Sequence, residues 1–224
     1  MTELTEAFAT VEKFASPTEL SARIAGLEGS LAGRARDSAL AHLESEGIDE
    51  AGLLAALAIK AMAGQINVIV HTLGILVSLP YVLDKGEIIK SLSLGAGNTG
   101  RKHDLETDRQ VAEFKFIDWK GGPESIRQNS LFADLFGLVC ADTTKRKLLY
   151  VVGKEHPMRF FQGGRALKSV LSKNSAVAAR FRALHGETYI RVRDYYMTVE
   201  GQVEIADLRD LVPAFKAVDD GLDG

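Results

Sequence analysis

Hydrophobic and polar positions change period several times along the chain, and each change marks an element. Through residue 60 the apolar positions recur at helical spacing in TELTEAFATVEKF, SPTELSARIAGLEG and GRARDSALAHLESEG, which predicts a helical N-terminal region. Ser16-Pro17-Thr18-Glu19 opens one of these helices with an N-cap, a proline at the first helical position and a glutamate at the third. From Ala61 to Leu83 no residue is charged. Length alone would let this run cross a membrane. Gln65, Asn67, His71, the interior Pro80 and the lack of flanking basic clusters point instead to a helix buried under a sheet.

Period two then takes over. Glu87 to Leu94 alternates as a strand and leads into Gly95-Ala96-Gly97-Asn98-Thr99-Gly100. These glycines match a dinucleotide-binding fingerprint in spacing, but that fingerprint opens a helix, and here the strand-like RKHDLETD follows. A nicotinamide site is therefore excluded, and the loop reads as a connection. Val111, Ala112, Phe114, Phe116, Ile117 and Trp119 give residues 110 to 119 strand character, with Ala112, Phe114 and Phe116 on the face expected to be buried. Gly121-Gly122-Pro123 breaks that strand, and Pro123 and Glu124 start a helix with a core face of Leu131, Phe132, Leu135 and Phe136.

Lys145 to Val152 reads as another core strand. Two helices follow, GRALKSVLSKN and SAVAARFRALHG, then a strand pair, ETYIRVRDYYMTV and GQVEIAD, a helix through LRDLVPAF, and a frayed tail, DDGLDG. The predicted fold is α/β: a mixed central sheet flanked by helices, with a helical region over 1–60, a core over 61–153 and a basic α+β part over 154–224 packed on that core.

Composition narrows the functional classes. With 46% hydrophobic and 25% charged residues, the 224-residue chain has the balance of a folded globular protein, which excludes wholesale disorder. Cys140 is the only cysteine, so neither an internal disulfide nor a cysteine zinc cluster can form. The first residues, MTELTEAFATVEKF, lack the basic region and apolar run of a secretory signal, so a cytoplasmic protein without membrane attachment is expected. A net charge of −3 argues against a general basic coat, but the charge is uneven. Lys154 to Arg193 holds nine Lys or Arg against Glu155 and Glu187, whereas the first sixty residues carry twice as many acids as bases. The C-terminal third therefore predicts a basic face, with Arg165, Lys168, Arg180 and Arg182 as phosphate contacts and Tyr189, Tyr195 and Tyr196 as aromatic neighbours.

The strongest candidate chemistry lies in RKHDLETDRQVAEFKFIDW, residues 101–119. Lys102 to Glu106 can fold back on the 110–119 strand through Thr107, Asp108, Arg109 and Gln110, in a register that sets Asp104 opposite Glu113. Lys115 shares the face of Glu113. Directly opposed carboxylates repel unless something intervenes, and a divalent cation is the natural intervener. Two carboxylates and a lysine suit phosphodiester hydrolysis. An amphipathic surface strand that happens to carry Glu and Lys would read the same way.

Asp104 followed by Glu113-Phe114-Lys115 resembles the signature of the restriction-endonuclease-like nucleases: an acidic residue on one strand and a (D/E)-x-K triplet on the next. The order of hairpin, helix and strand is also that of this core. The resemblance implies a Mg2+ (or Mn2+) site held by Asp104, Glu113 and the Phe114 backbone carbonyl, with Lys115 catalytic and DNA as substrate, in a chain that could form a homodimer. In that family the helix after the triplet supplies a further polar residue, which makes Gln128 a catalytic candidate and Arg127 a nucleic-acid contact. His103 stands where the family often has a proline. A non-catalytic nucleic-acid-binding module and a structural, partner-binding protein are the alternatives.

Overall fold

The computed structural model describes residues 3–15, 20–95, 102–116, 119 and 125–219. The chain divides into two units, Met1–Asn67 and Val68–Gly224. The first contains α1 (Glu3–Ala15), α2 (Leu20–Leu31), α3 (Arg36–Ser45) and the beginning of α4 (Glu50–Val82). Within it an Arg23–Glu46 ion pair of 2.7 Å and a Ser30 Oγ to His42 Nε2 contact of 2.7 Å tie α2 to the end of α3. The anticipated Ser16–Glu19 cap lies outside the described residues.

The second unit is built on a five-stranded mixed sheet: β1 (Ile89–Leu92), β2 (Leu105–Thr107), β3 (Gln110–Lys115), β4 (Arg146–Val151) and β5 (Glu204–Asp207), in that spatial order. β1 to β3 are antiparallel neighbours, whereas β3–β4 and β4–β5 are parallel. α5 (Ser125–Val139) makes the crossover from β3 to β4. α6 (Glu155–Phe161), α7 (Leu167–Leu171), α8 (Ser175–His185) and α9 (Val192–Val199) lie between β4 and β5, and α10 (Leu208–Leu211) and α11 (Pro213–Asp219) follow. The fold is thus α/β, with helices flanking a mixed sheet, as the hydrophobic pattern predicts.

Both faces of the sheet are covered. Val111, Leu149, Val151 and Ile205 pack with Leu131, Phe132 and Leu135 of α5 and with α6 to α9. On the other face Leu105, Ala112, Phe114, Leu148 and Tyr150 meet Ile75 and Val82 of α4, Leu208 of α10 and Val212. This corrects the expectation that only the phenylalanine face of β3 is buried, because α5 lies over the Glu113 and Lys115 side as well.

Two further expectations change. The segment ETYIRVRDYYMTV does not form a strand. Val192, Tyr195, Tyr196 and Val199 are buried at the spacing of one helical face, and the Arg191 N–H donates to Asp194 at 2.8 Å in a capping box. Capping and periodicity outweigh the β-propensity of the tyrosines. The second member of the anticipated pair, GQVEIAD, does supply β5, but it pairs in parallel with β4. As for α4, only Gly74, Ile75, Ser78 and Val82 are buried, while Leu73, Leu76, Val77 and Tyr81 remain exposed. The helix is long and apolar enough to cross a membrane, and its most apolar window is 0% buried.

Gly74 allows a close approach. A Cβ there would lie 2.6 Å from a ring carbon of Phe116, which is itself stacked on Phe114 and Phe215. Gly137 in α5 has open space around the same position. Gly74→Ala is expected to lower stability by about 1–2 kcal/mol, since overpacking outweighs the gain in helix propensity. Gly137→Ala should raise it by about 0.5–1 kcal/mol. Urea denaturation of both variants checks this; stabilisation by both would mean that Phe116 does not rest on Gly74.

Candidate active site

Turn chemistry sets the hairpin register. Thr107 Oγ1 accepts from the N–H groups of Arg109 and Gln110 at 2.9 and 2.8 Å, which leaves Asp108-Arg109 as the tip. Asp108 accepts from the Ile88 N–H at 2.8 Å, and the Gln110 amide donates to the Val82 carbonyl and to Glu87, so the tip is tied to β1 and to the end of α4. β2 and β3 therefore pair Leu105 with Ala112 and Glu106 with Val111. Carried one step further, the same register sets Asp104 opposite Glu113, as the sequence predicts. The strands are shorter than expected, however: β3 ends at Lys115 and β2 begins at Leu105.

Each charged group meets a partner delivered by a different segment. Asp104 Oδ2 accepts from the Phe114 N–H at 2.9 Å, and its Oδ1 lies 3.4 Å from His71 Nε2 on α4. Phe114 thus contacts the acid through its N–H, whereas the resemblance assigns a role to its carbonyl. Glu113 Oε1 lies 3.0 Å from His103 Nδ1, and Lys115 Nζ lies 2.6 Å from Asp134 Oδ2 on α5. These side chains are mostly shielded, with Asp104 and Glu113 each 15% exposed.

Shielding drives the electrostatics. Burial raises the Glu113 carboxyl to about 7; the His103 contact pulls it back, and the charges on Asp134 and Asp104 push it further up. Burial also raises the Asp134 carboxyl, against the attraction of Lys115. Burial opposes the Lys115 charge, but Asp134, Asp104 and Glu113 more than offset this and hold the ammonium above the usual lysine range. Lys115 is consequently a cation at neutral pH and acts through its charge. Three carboxyl groups, those of Asp104, Glu113 and Asp134, thus act on one ammonium, an excess of acidic groups over cations. That excess, on two opposed oxygen donors, fits a hard divalent cation that completes its shell with water and phosphate. Among the described residues no group of three or more His, Cys, Asp or Glu side chains converges as a preformed metal site.

The other candidates are placed elsewhere. Gln128 is buried but lines a cavity with Trp119, His156 and Arg165, not with the carboxylates. It lies six residues before Asp134, about 9 Å along α5 and on a different side of the helix. Arg127 lines a small pocket with Lys115 and Trp119. Lys168 on α7 is exposed, as are Arg180 and Arg182 on α8. Arg180 donates to the Cys140 carbonyl at 3.3 Å, and Arg182 pairs with Glu187 at 3.4 Å. Only Arg127 and Arg165 of the basic candidates thus gather near Trp119.

Asp134 and His103 escape the sequence reading as members of the site, and His71, which could reach it from α4, reads there as a core residue with satisfied hydrogen bonds. Asp134 did leave a signal, because a carboxylate inside the apolar run LFADLFGLV has to find a cation. The histidines carry no comparable mark. Compared with family models, curated proteins and solved structures, the chain gives no match.

Glu113 has a folded-state pKa above its unfolded value, so its stabilising contribution is complete below about pH 4.5 and is lost as pH rises through about 7. In metal-free protein, Glu113→Gln should raise stability at pH 8 by on the order of 2–3 kcal/mol and lose that gain by pH 4.5. Melting curves across this range check it, and a gain independent of pH would exclude a strained carboxylate.

Proposed function

We propose that the protein is a divalent-cation-dependent nuclease that hydrolyses phosphodiester bonds of DNA at Asp104, Glu113 and Lys115. The observation that carries this reading is that the hairpin register, continued one step past Leu105–Ala112, brings Asp104 opposite Glu113, where its charge acts on the Glu113 carboxyl, displaced to about 7, and on Lys115. The succession of hairpin, helix and parallel strand agrees with the restriction-endonuclease-like core that the motif resembles.

Asp104 and Glu113 would hold Mg2+ or Mn2+. The bound cation would acidify a water and polarise a phosphoryl oxygen. His71 and His103 orient the two carboxylates, as hydrogen-bonded neighbours commonly orient metal ligands. The Lys115 ammonium stands ready to stabilise charge that builds up on the phosphoryl oxygens, and Asp134 keeps it protonated and in place. In the net reaction the water oxygen bonds phosphorus and gives up a proton, the P–O bond to one of the two flanking sugar oxygens breaks, and that leaving oxygen takes up a proton.

A binding module without turnover is the second reading. It draws on the direct Lys115–Asp134 contact, which already occupies the ammonium. Mg2+- or Mn2+-dependent cutting of plasmid and single-stranded DNA separates the two. Asp104→Ala, Glu113→Ala and Lys115→Ala should each lower the rate by about 10²-fold or more in protein that stays folded at the assay temperature, with Lys115→Ala also melting lower because Asp134 loses its cation. Cutting unchanged in these variants would place the chemistry elsewhere. DNA binding without cutting, retained in all three, would favour the module.

A further inference from the structure

A second site lies next to the first, in a cavity of about 190 Å3 lined by Trp119, Gln128, His156, Arg159, Phe160 and Arg165. Three of its lining side chains carry a buried polar atom with no hydrogen-bond partner among the described residues: Trp119 Nε1, Gln128 Oε1 and Arg165 Nε. Gln128 as a whole is only 9% exposed. Unpaired buried polar atoms are rare in folded proteins, and three in one cavity call for something polar to fill it. The charge is one-sided, since Arg159, Arg165 and His156 face no carboxylate among the lining residues.

The shape of the occupant follows from the walls. Trp119 is stacked on His156 with ring centroids 6.0 Å apart, and Phe160 stands 6.2 Å from the indole, so one wall is aromatic and suited to a planar ring. A glutamine amide offers a donor and an acceptor side by side, as the edge of a nucleobase requires. Guanidinium groups match phosphate. The volume falls below the ~300 Å3 or more of pockets that enclose drug-sized ligands, so it suits a single base. Trp119 also lines the pocket that contains Lys115 and Arg127, which makes the cavity and the candidate active site neighbours.

We propose that the cavity takes one unpaired nucleobase of the bound DNA strand, stacked on Trp119 and hydrogen-bonded to Gln128, with the adjoining phosphate held by Arg159 and Arg165. The proposal rests on the nuclease reading for the strand's identity, and it adds that the substrate is single-stranded or has a base turned out of the duplex next to the cut. A base inside a paired stack cannot reach such a pocket.

Trp119 is the only tryptophan in the chain, so its fluorescence reports on the cavity and on the adjoining Lys115–Arg127 pocket, and the cavity variants below tell the two apart. The experiment titrates the full chain, in EDTA, with a short single-stranded oligonucleotide, the same sequence as a duplex, an abasic oligonucleotide and a mononucleotide. Saturable quenching by the single strand is expected, with binding at least about tenfold weaker for the abasic strand. Arg159→Ala, at an exposed position, and Gln128→Leu should each weaken quenching severalfold. Equal quenching by the abasic strand or by the duplex would overturn the proposal, as would no quenching at all. If quenching is absent while cation-dependent cutting persists, the cavity assignment fails and the nuclease reading stands. Base-dependent quenching by a protein that never cuts would leave the cavity standing without hydrolysis.

Discussion

Two acidic side chains set near each other at the end of a hairpin are unfavourable in water and more so where water is scarce, yet Asp104 and Glu113 are held within reach of each other's charge and both are largely shielded. The surrounding structure supplies what makes the pair tolerable. His71 comes from α4, His103 from the segment before β2, and Lys115 from the same face as Glu113, anchored by Asp134 of α5. The compensation is incomplete, since burial still raises the Glu113 carboxyl to about 7. Acidic groups outnumber cations there, and that link from sheet register to electrostatics underlies the proposed chemistry.

The scaffold around the pair serves placement. Gly74 lets the α4 backbone approach the Phe116 ring, and His71, one turn earlier, rests at 5.8 Å from the same ring with its Nε2 turned to Asp104. A stack of Phe114 on Tyr150, at 4.8 Å between centroids, fixes the strand between Glu113 and Lys115 from the opposite face. The parallel pairing of β3 with β4 aligns Glu113 with Leu149 and Lys115 with Val151 beneath α5, which brings Asp134 over the lysine. Rigid elements on both sides of the sheet thus set the charges within hydrogen-bond reach of one another.

Much of this arrangement is legible in the chain, because local rules govern it. Period-two alternation around Glu113 and Lys115 and the turn residues from Thr107 to Gln110 specify a hairpin whose register follows from pairing alone. Non-local contacts are harder to read. From the helix after the triplet it is Asp134 that contacts Lys115, whereas the expected Gln128 turns toward Trp119. The difference depends on how α5 rotates over the sheet, and Phe132 and Phe136 decide that by packing on Phe181 and Tyr195 from elements far along the chain. The misread segment ETYIRVRDYYMTV illustrates competing signals: tyrosines and valines favour strands, while Asp194 three residues after Arg191 and apolar positions 192, 195, 196 and 199 favour the helix that forms.

The most direct measurement of the central electrostatic claim is the titration of the Glu113 side-chain carboxyl by carbon-13 NMR, without and with Mg2+. Metal-free protein should show a carboxyl titrating near 7 that is absent from Glu113→Gln. Saturating Mg2+ should move it down by at least about one unit, since a bound cation favours the charged carboxylate. A Glu113 carboxyl titrating near 4.5 in both conditions would contradict the strained pair and, with it, the proposed cation site.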